Sequence, residues 1–106
     1  MEITKETVRE MLHGWTTVGT SPVPITPLQL IPYKGILLFA PGTAYPGGGN
    51  SAPIWVGGPR VTADQNEGTG GTPIVPGSSL FVPLDKPDII YVVSNAVTQK
   101  LSWMVV

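Results

Sequence analysis

The chain has 106 residues, and its 13 Gly and 12 Pro make up close to a quarter of it, about twice the average share; yet 42% of the residues are hydrophobic and only 12% charged. That balance excludes a disordered chain, which is short of aliphatics and rich in charge. The absence of Cys excludes a disulfide scaffold, a thiolate metal site and a cysteine nucleophile. Six Lys and Arg against seven Asp and Glu, for a net charge of -1, offer no basic stripe, so a nucleic-acid partner is not expected.

The charges are uneven along the chain. Glu2, Lys5, Glu6, Arg9 and Glu10 crowd the start, whereas Lys34 is the only charged residue from Met11 to Pro59. The charged start has no apolar h-region, so no secretory signal is expected. The run Ile36 to Ala40 is far shorter than the roughly 20 residues of a spanning helix, so no membrane partner is expected. In the first segment Val8, Met11, Leu12 and Trp15 recur at i, i+3, i+4 and i+7, which predicts one helical stripe, with Thr4 as N-cap and Gly14 as stop. A helix this short is marginal alone in water and must dock on something. The domain reading is a helical arm over 1–15 and a β-domain over 16–106.

From Trp15 onward the pattern predicts strands at Trp15 to Thr20, Val23 to Leu30, Tyr33 to Ala40, Pro53 to Val56 with a continuation near Arg60 to Thr62, Ser79 to Leu84, Ile89 to Val93, and Gln99 to Val106. Turn-forming Gly, Pro, Asn and Asp separate them. Seven short strands point to a sandwich or barrel. The strand among Pro22, Pro24, Pro27 and Pro32 belongs at an edge, because each Pro lacks a ladder donor. The runs Ile36-Leu37-Leu38-Phe39 and Ile89-Ile90-Tyr91-Val92-Val93, and the pair Phe81-Val82, are apolar at consecutive positions. Both faces of such strands avoid water, which predicts a partner surface.

Catalytic chemistry finds few candidates. His13 is the one histidine, and at a helix end it reads as a dipole-favoured imidazole without a companion base. Asp64-Gln65-Asn66-Glu67-Gly68 resembles the start of a calcium loop, but the closing bidentate Glu is replaced by Ile74, so a solvated turn is the simpler reading, and no metal is assigned. Asp85 and Asp88 can be drawn as two glycosidase carboxylates, yet beside Pro87 they read as a turn. The stretches Gly47 to Asn50 and Gly68 to Gly71 lack the residues of a phosphate loop. No cofactor and no enzymatic activity are expected. Trp103 alternates with Leu101 and Val105 as a core residue would. Tyr45 and Trp55 could stack on a sugar or anchor an interface, and Tyr45 fits loop packing equally well.

The succession Val18-Gly19-Thr20-Ser21-Pro22-Val23, Gly35-Ile36-Leu37-Leu38-Phe39-Ala40-Pro41-Gly42, Ile54-Trp55-Val56-Gly57-Gly58, Val61-Thr62-Ala63, Pro73-Ile74-Val75-Pro76-Gly77-Ser78-Ser79, Leu80-Phe81-Val82-Pro83-Leu84, Ile90-Tyr91-Val92-Val93-Ser94 and Gln99-Lys100-Leu101-Ser102-Trp103 resembles the small β-sandwich virion structural proteins of tailed bacteriophages. The resemblance covers about residues 17 to 106. It implies an all-β, jelly-roll-like antiparallel sandwich with no catalytic residues. The function it implies is that of a capsid cement or decoration protein on the virion surface, made in the host cytoplasm, that bridges major capsid subunits as a homo-oligomer, a trimer above all. On that expectation Val8, Met11, Leu12, Trp15, Tyr45 and Trp55 meet the partner. The alternative is a head-fibre, tail or baseplate module that binds host glycans through Tyr45 and Trp55.

Overall fold

The computed structural model describes residues 13–25, 35–45, 47–83 and 90–105. They form eight strands: β1 (His13–Val18), β2 (Val23–Pro24), β3 (Gly35–Ala40), β4 (Ile54–Gly57), β5 (Thr72–Ile74), β6 (Ser78–Pro83), β7 (Tyr91–Ser94) and β8 (Gln99–Val105). One sheet has the order β1-β8-β3-β6 and the other β2-β7-β4-β5. Every strand ladder is antiparallel. The fold is therefore all-β, a small two-sheet sandwich, and the described residues contain no helix.

The pairings follow a simple rule. β1 joins β8, β2 joins β7, β3 joins β6 and β4 joins β5. The chain thus runs as one long antiparallel hairpin whose tip is the β4–β5 loop, and alternate rungs fall into alternate sheets. Contacts β3·β8 and β4·β7 close each sheet.

Pleat alternation fills the core. Ile36, Leu38 and Ala40 of β3 point inward with Leu101, Trp103 and Val105 of β8, and they meet Ile54 and Val56 of β4, Ile74 of β5 and Val92 of β7. Each buried aliphatic side chain of this kind contributes roughly 1.5–3 kcal/mol of transfer free energy. Trp103 needs room from its neighbour. Gly14 lies opposite it in the β1–β8 register, and a Cβ on Gly14 would sit 2.7 Å from Trp103 Cζ2.

Among the described residues β1 already includes residues 13–15, so Trp15 is a strand residue instead of the last member of a helical stripe. Three β-branched residues, Thr16, Thr17 and Val18, follow it, and the whole segment pairs with β8. His13 likewise lies on β1, as its first residue. Val8, Met11 and Leu12 lie outside the described residues, as do Asp85 and Asp88.

The other expected strands are met over their described residues, with shifts, while their parts at 26–30, 33–34, 84, 89 and 106 lie outside the described residues. The Pro-bearing β2 is an edge strand, as its missing donors require. The expected continuation at Arg60 to Thr62 is a loop touched only by a Thr62–Gly70 bridge. An additional strand, β5, lies in a stretch that reads as a loop because Pro73 sits in its middle; β5 is the other edge of its sheet, where a Pro is tolerated. β6 alternates between half-buried and exposed, so Phe81 faces outward while Val82 packs against the core. On β7 both Val92 and Val93 are buried. Val92 points into the core. Val93 faces the other way and shares a groove with Arg60, Val61 and Ala63 of the β4–β5 loop, so this chain supplies part of its cover.

Candidate functional site

The turns at 19–22, 41–53, 75–77 and 95–98 gather at one end of the sandwich. Their placement follows from the ladders: Ala40 pairs with Ser78, Ile54 with both Ile74 and Ser94, and Ser94 N–H donates to Gly19 O (2.8 Å). Three of the large apolar residues that stay exposed sit on these turns: Tyr45 (43% exposed), Val75 (51%) and Val97 (67%).

The end is held by side chains that imitate a ladder. Continuing the β3–β8 register beyond Phe39↔Ser102 would set Pro41 opposite Lys100, and Pro has no N–H to offer. Asn50 takes that place. Its Nδ2 donates to Lys100 O (2.8 Å), and Lys100 N–H donates to its Oδ1 (2.6 Å). Its own backbone N–H donates to Pro41 O (2.9 Å). Gln99 does the same one residue earlier: Ser51 and Ala52 N–H donate to Oε1 (2.8 and 3.1 Å), and Nε2 donates to Val97 O (2.9 Å). Asn50 and Gln99 are both buried. Ser94 Oγ donates to Pro53 O (2.9 Å) and accepts from Ala96 N–H (3.3 Å). The long β3–β4 loop is thereby bolted to the β7–β8 turn along its length.

Close backbone contacts tighten the same end. A Cβ on Gly49 would lie 1.6 Å from Gly42 O, so only Gly fits there. Thr98 holds φ at 60°, a left-handed conformation that is strained for a β-branched residue and costs on the order of 1 kcal/mol. Lys100 Nζ donates to Thr17 Oγ1 (3.1 Å) across the β1–β8 pair. The result is a loop end whose shape is fixed by the chain's own hydrogen bonds and close backbone contacts.

The expected contact residues separate. Tyr45 leans on Phe39, with ring centroids 5.9 Å apart and planes tilted by 57°, so it is at once packed on its own loop's base and exposed. Trp55 alternates with the core residues Ile54 and Val56 and therefore faces outward on the other sheet. It is half-buried, and its Nε1 finds no acceptor among the described residues. Tyr45 and Trp55 thus occupy opposite faces of the sandwich and do not form a joint aromatic platform. Trp15 is 53% exposed on β1. Sequence reading missed Asn50, Gln99, Val75 and Val97. The one available signal was an Asn after three glycines, and it reads equally well as a turn.

The Asp64 loop resolves into a self-contained turn. Thr62 Oγ1 and Asn66 N–H donate to Asp64 Oδ1 (2.7 and 3.0 Å), and Gly68 and Thr69 N–H donate to Asn66 Oδ1 (2.8 and 3.1 Å). The Thr62 hydroxyl and then the Asn66 amide hold the Asp64 carboxyl below its usual range. These oxygens are committed to the loop, and no group of three or more His, Asp or Glu among the described residues is placed to hold a metal ion. The chain matches no protein-family profile, no curated protein and no solved structure.

Proposed function

We propose that this protein is a non-enzymatic virion structural protein, a capsid cement of a tailed bacteriophage that binds major capsid subunits as a homo-oligomer, with a trimer at a symmetry axis as the favoured form. The observation that carries the reading is the loop end, where apolar Tyr45, Val75 and Val97 stand exposed on turns that buried Asn50 and Gln99 hold in place. A cement acts by burying area against a shell, and a pre-shaped apolar rim with little charge suits that task. The rolled hairpin supports the same reading, since that order of pairing is how a jelly roll is wound.

The test is occupancy on purified capsids with a Val75→Glu/Val97→Glu variant. Both side chains are exposed, so the sandwich is expected to keep its circular dichroism and melting temperature while sedimentation with capsids falls at least tenfold. Undiminished sedimentation, or a position in the virion tail, overturns the reading.

A further inference from the structure

A strand edge offers backbone hydrogen bonds to whatever lies beside it, and the four edges of this sandwich are unequal. β2 and β5 are two and three residues long, and each carries a Pro, which blunts an edge against pairing. β1 is longer, but the Lys100 ammonium lies against it at Thr17, and a charge at an edge discourages a further strand. β6 has none of these guards. It is six residues long, its only Pro is its last residue, and no residue from Gly68 to Leu84 is charged. On one side β3 pairs with it along its whole length; among the described residues no strand meets the other side. Phe81 stands 45% exposed on its outward face. Leu80 and Val82 point inward yet stay partly open, whereas Ile36 and Leu38 beside them on β3 are buried. The core is therefore unfinished along β6, and one further strand there covers it.

We propose that this strand is β6 of a second copy, paired antiparallel about a two-fold axis at Phe81. The backbone of β6 carries the choice. Rungs of an antiparallel ladder alternate between hydrogen-bonded and non-bonded pairs. Pro83 has no N–H to give Gly35, its partner on β3, so the bonded rungs with β3 are those of Leu80 and Val82. The N–H and C=O of Ser79 and Phe81 then point to the open side, with the C=O of Pro83. When the axis passes through Phe81, the two Phe81 residues face each other and each gives its N–H to the other's C=O. Ser79 faces Pro83 of the second copy, so its N–H meets a C=O whose residue has no donor to offer. Both open donors of β6 are satisfied by β6 itself. Leu80 faces Val82 of the second copy, apolar on apolar, and the two cores join. An axis at Leu80 would set Phe81 and Val82 against Ser79 and Ser78, a poorer match of side chains. The inference concerns the free protein, whose form it sets as a dimer. It does not rest on the virion reading, in which a threefold arrangement would be imposed by the shell.

Sedimentation equilibrium of the full chain is expected to give twice the mass of one copy. Because Phe81 is exposed, Phe81→Glu and Phe81→Lys should keep the β circular dichroism. Each puts like charges face to face on the axis and should weaken dimerisation roughly tenfold or more. An equimolar mixture of the two variants should recover the dimer, since Glu then faces Lys. A wild-type monomer or trimer overturns the proposal, as does a Phe81→Glu dimer of undiminished strength or a mixture that stays monomeric. The chain has no native Cys, which opens a second test. Facing residues of a bonded rung have Cα atoms about 5.5 Å apart, within disulfide reach. Phe81→Cys should therefore oxidise to a cross-linked dimer many-fold faster than Thr17→Cys, which is exposed on the β1 edge; equal rates overturn the proposal too.

Discussion

The β3–β4 loop (41–53) and the β4–β5 loop (58–71) are both rich in Gly and both carry Pro, Thr and Asn, and each is organised by an Asn side chain that grips backbone. Their surroundings differ. Asn50 is buried and exchanges two hydrogen bonds with a strand distant in sequence, whereas Asn66 is exposed and accepts from residues two and three positions ahead. Water competes freely for the second set and far less for the first, which is partly buried. Identical chemistry thus has a large effect on one loop and a small one on the other.

The comparison can be broken at several points, beginning with the tightest. Gly49→Ala forces a Cβ into Gly42 O and should cost about 3 kcal/mol or more, read as a large drop in urea midpoint. Asn50→Ala strands the N–H and C=O of Lys100, and a loss of about 2–4 kcal/mol is expected in the same experiment, with rapid amide exchange at Lys100. A change below 1 kcal/mol would mean that water replaces the side chain there. Asn66→Ala removes two hydrogen bonds in name but should lower stability by less than about 1 kcal/mol, because its partners turn to solvent.

The smallest effect is acid sensitivity at Asp64. Its folded-state pKa lies below the ordinary 3.8, so its contribution is complete above that pH and fades as the pH falls through the folded value. Amide signals of Asn66 should shift in that acid range while those of Lys100 stay put, and Asp64→Asn should abolish the shift. A shift at Lys100 of the same size would show that the two loops are coupled.

The strands were legible wherever side chains alternate or β-branched residues cluster, as in Thr16-Thr17-Val18 and Leu101-Ser102-Trp103. Trp15 misled because it falls at helical spacing from Val8, Met11 and Leu12, whereas pairing with β8 gives it the period of a strand. β5 was hidden by Pro73, whose meaning depends on whether the strand is central or edge, a tertiary fact. The same holds for the candidate site. Tyr45 was visible as an aromatic in a charge-poor loop, but nothing local to Asn50 or Gln99 announces partners about fifty positions away.

The rolled hairpin carries a consequence for how the protein is made. β8, the last of the described strands, lies between β1 and β3 in its sheet. During synthesis β1 therefore waits unpaired until residue 99 and those after it emerge, while β4 and β5 can already meet at the hairpin tip. Assembly is expected to start at that tip and end with the insertion of β8, a slow order dominated by distant pairings. Until that insertion, β1 and β3 present open strand edges on which neighbouring nascent chains can aggregate.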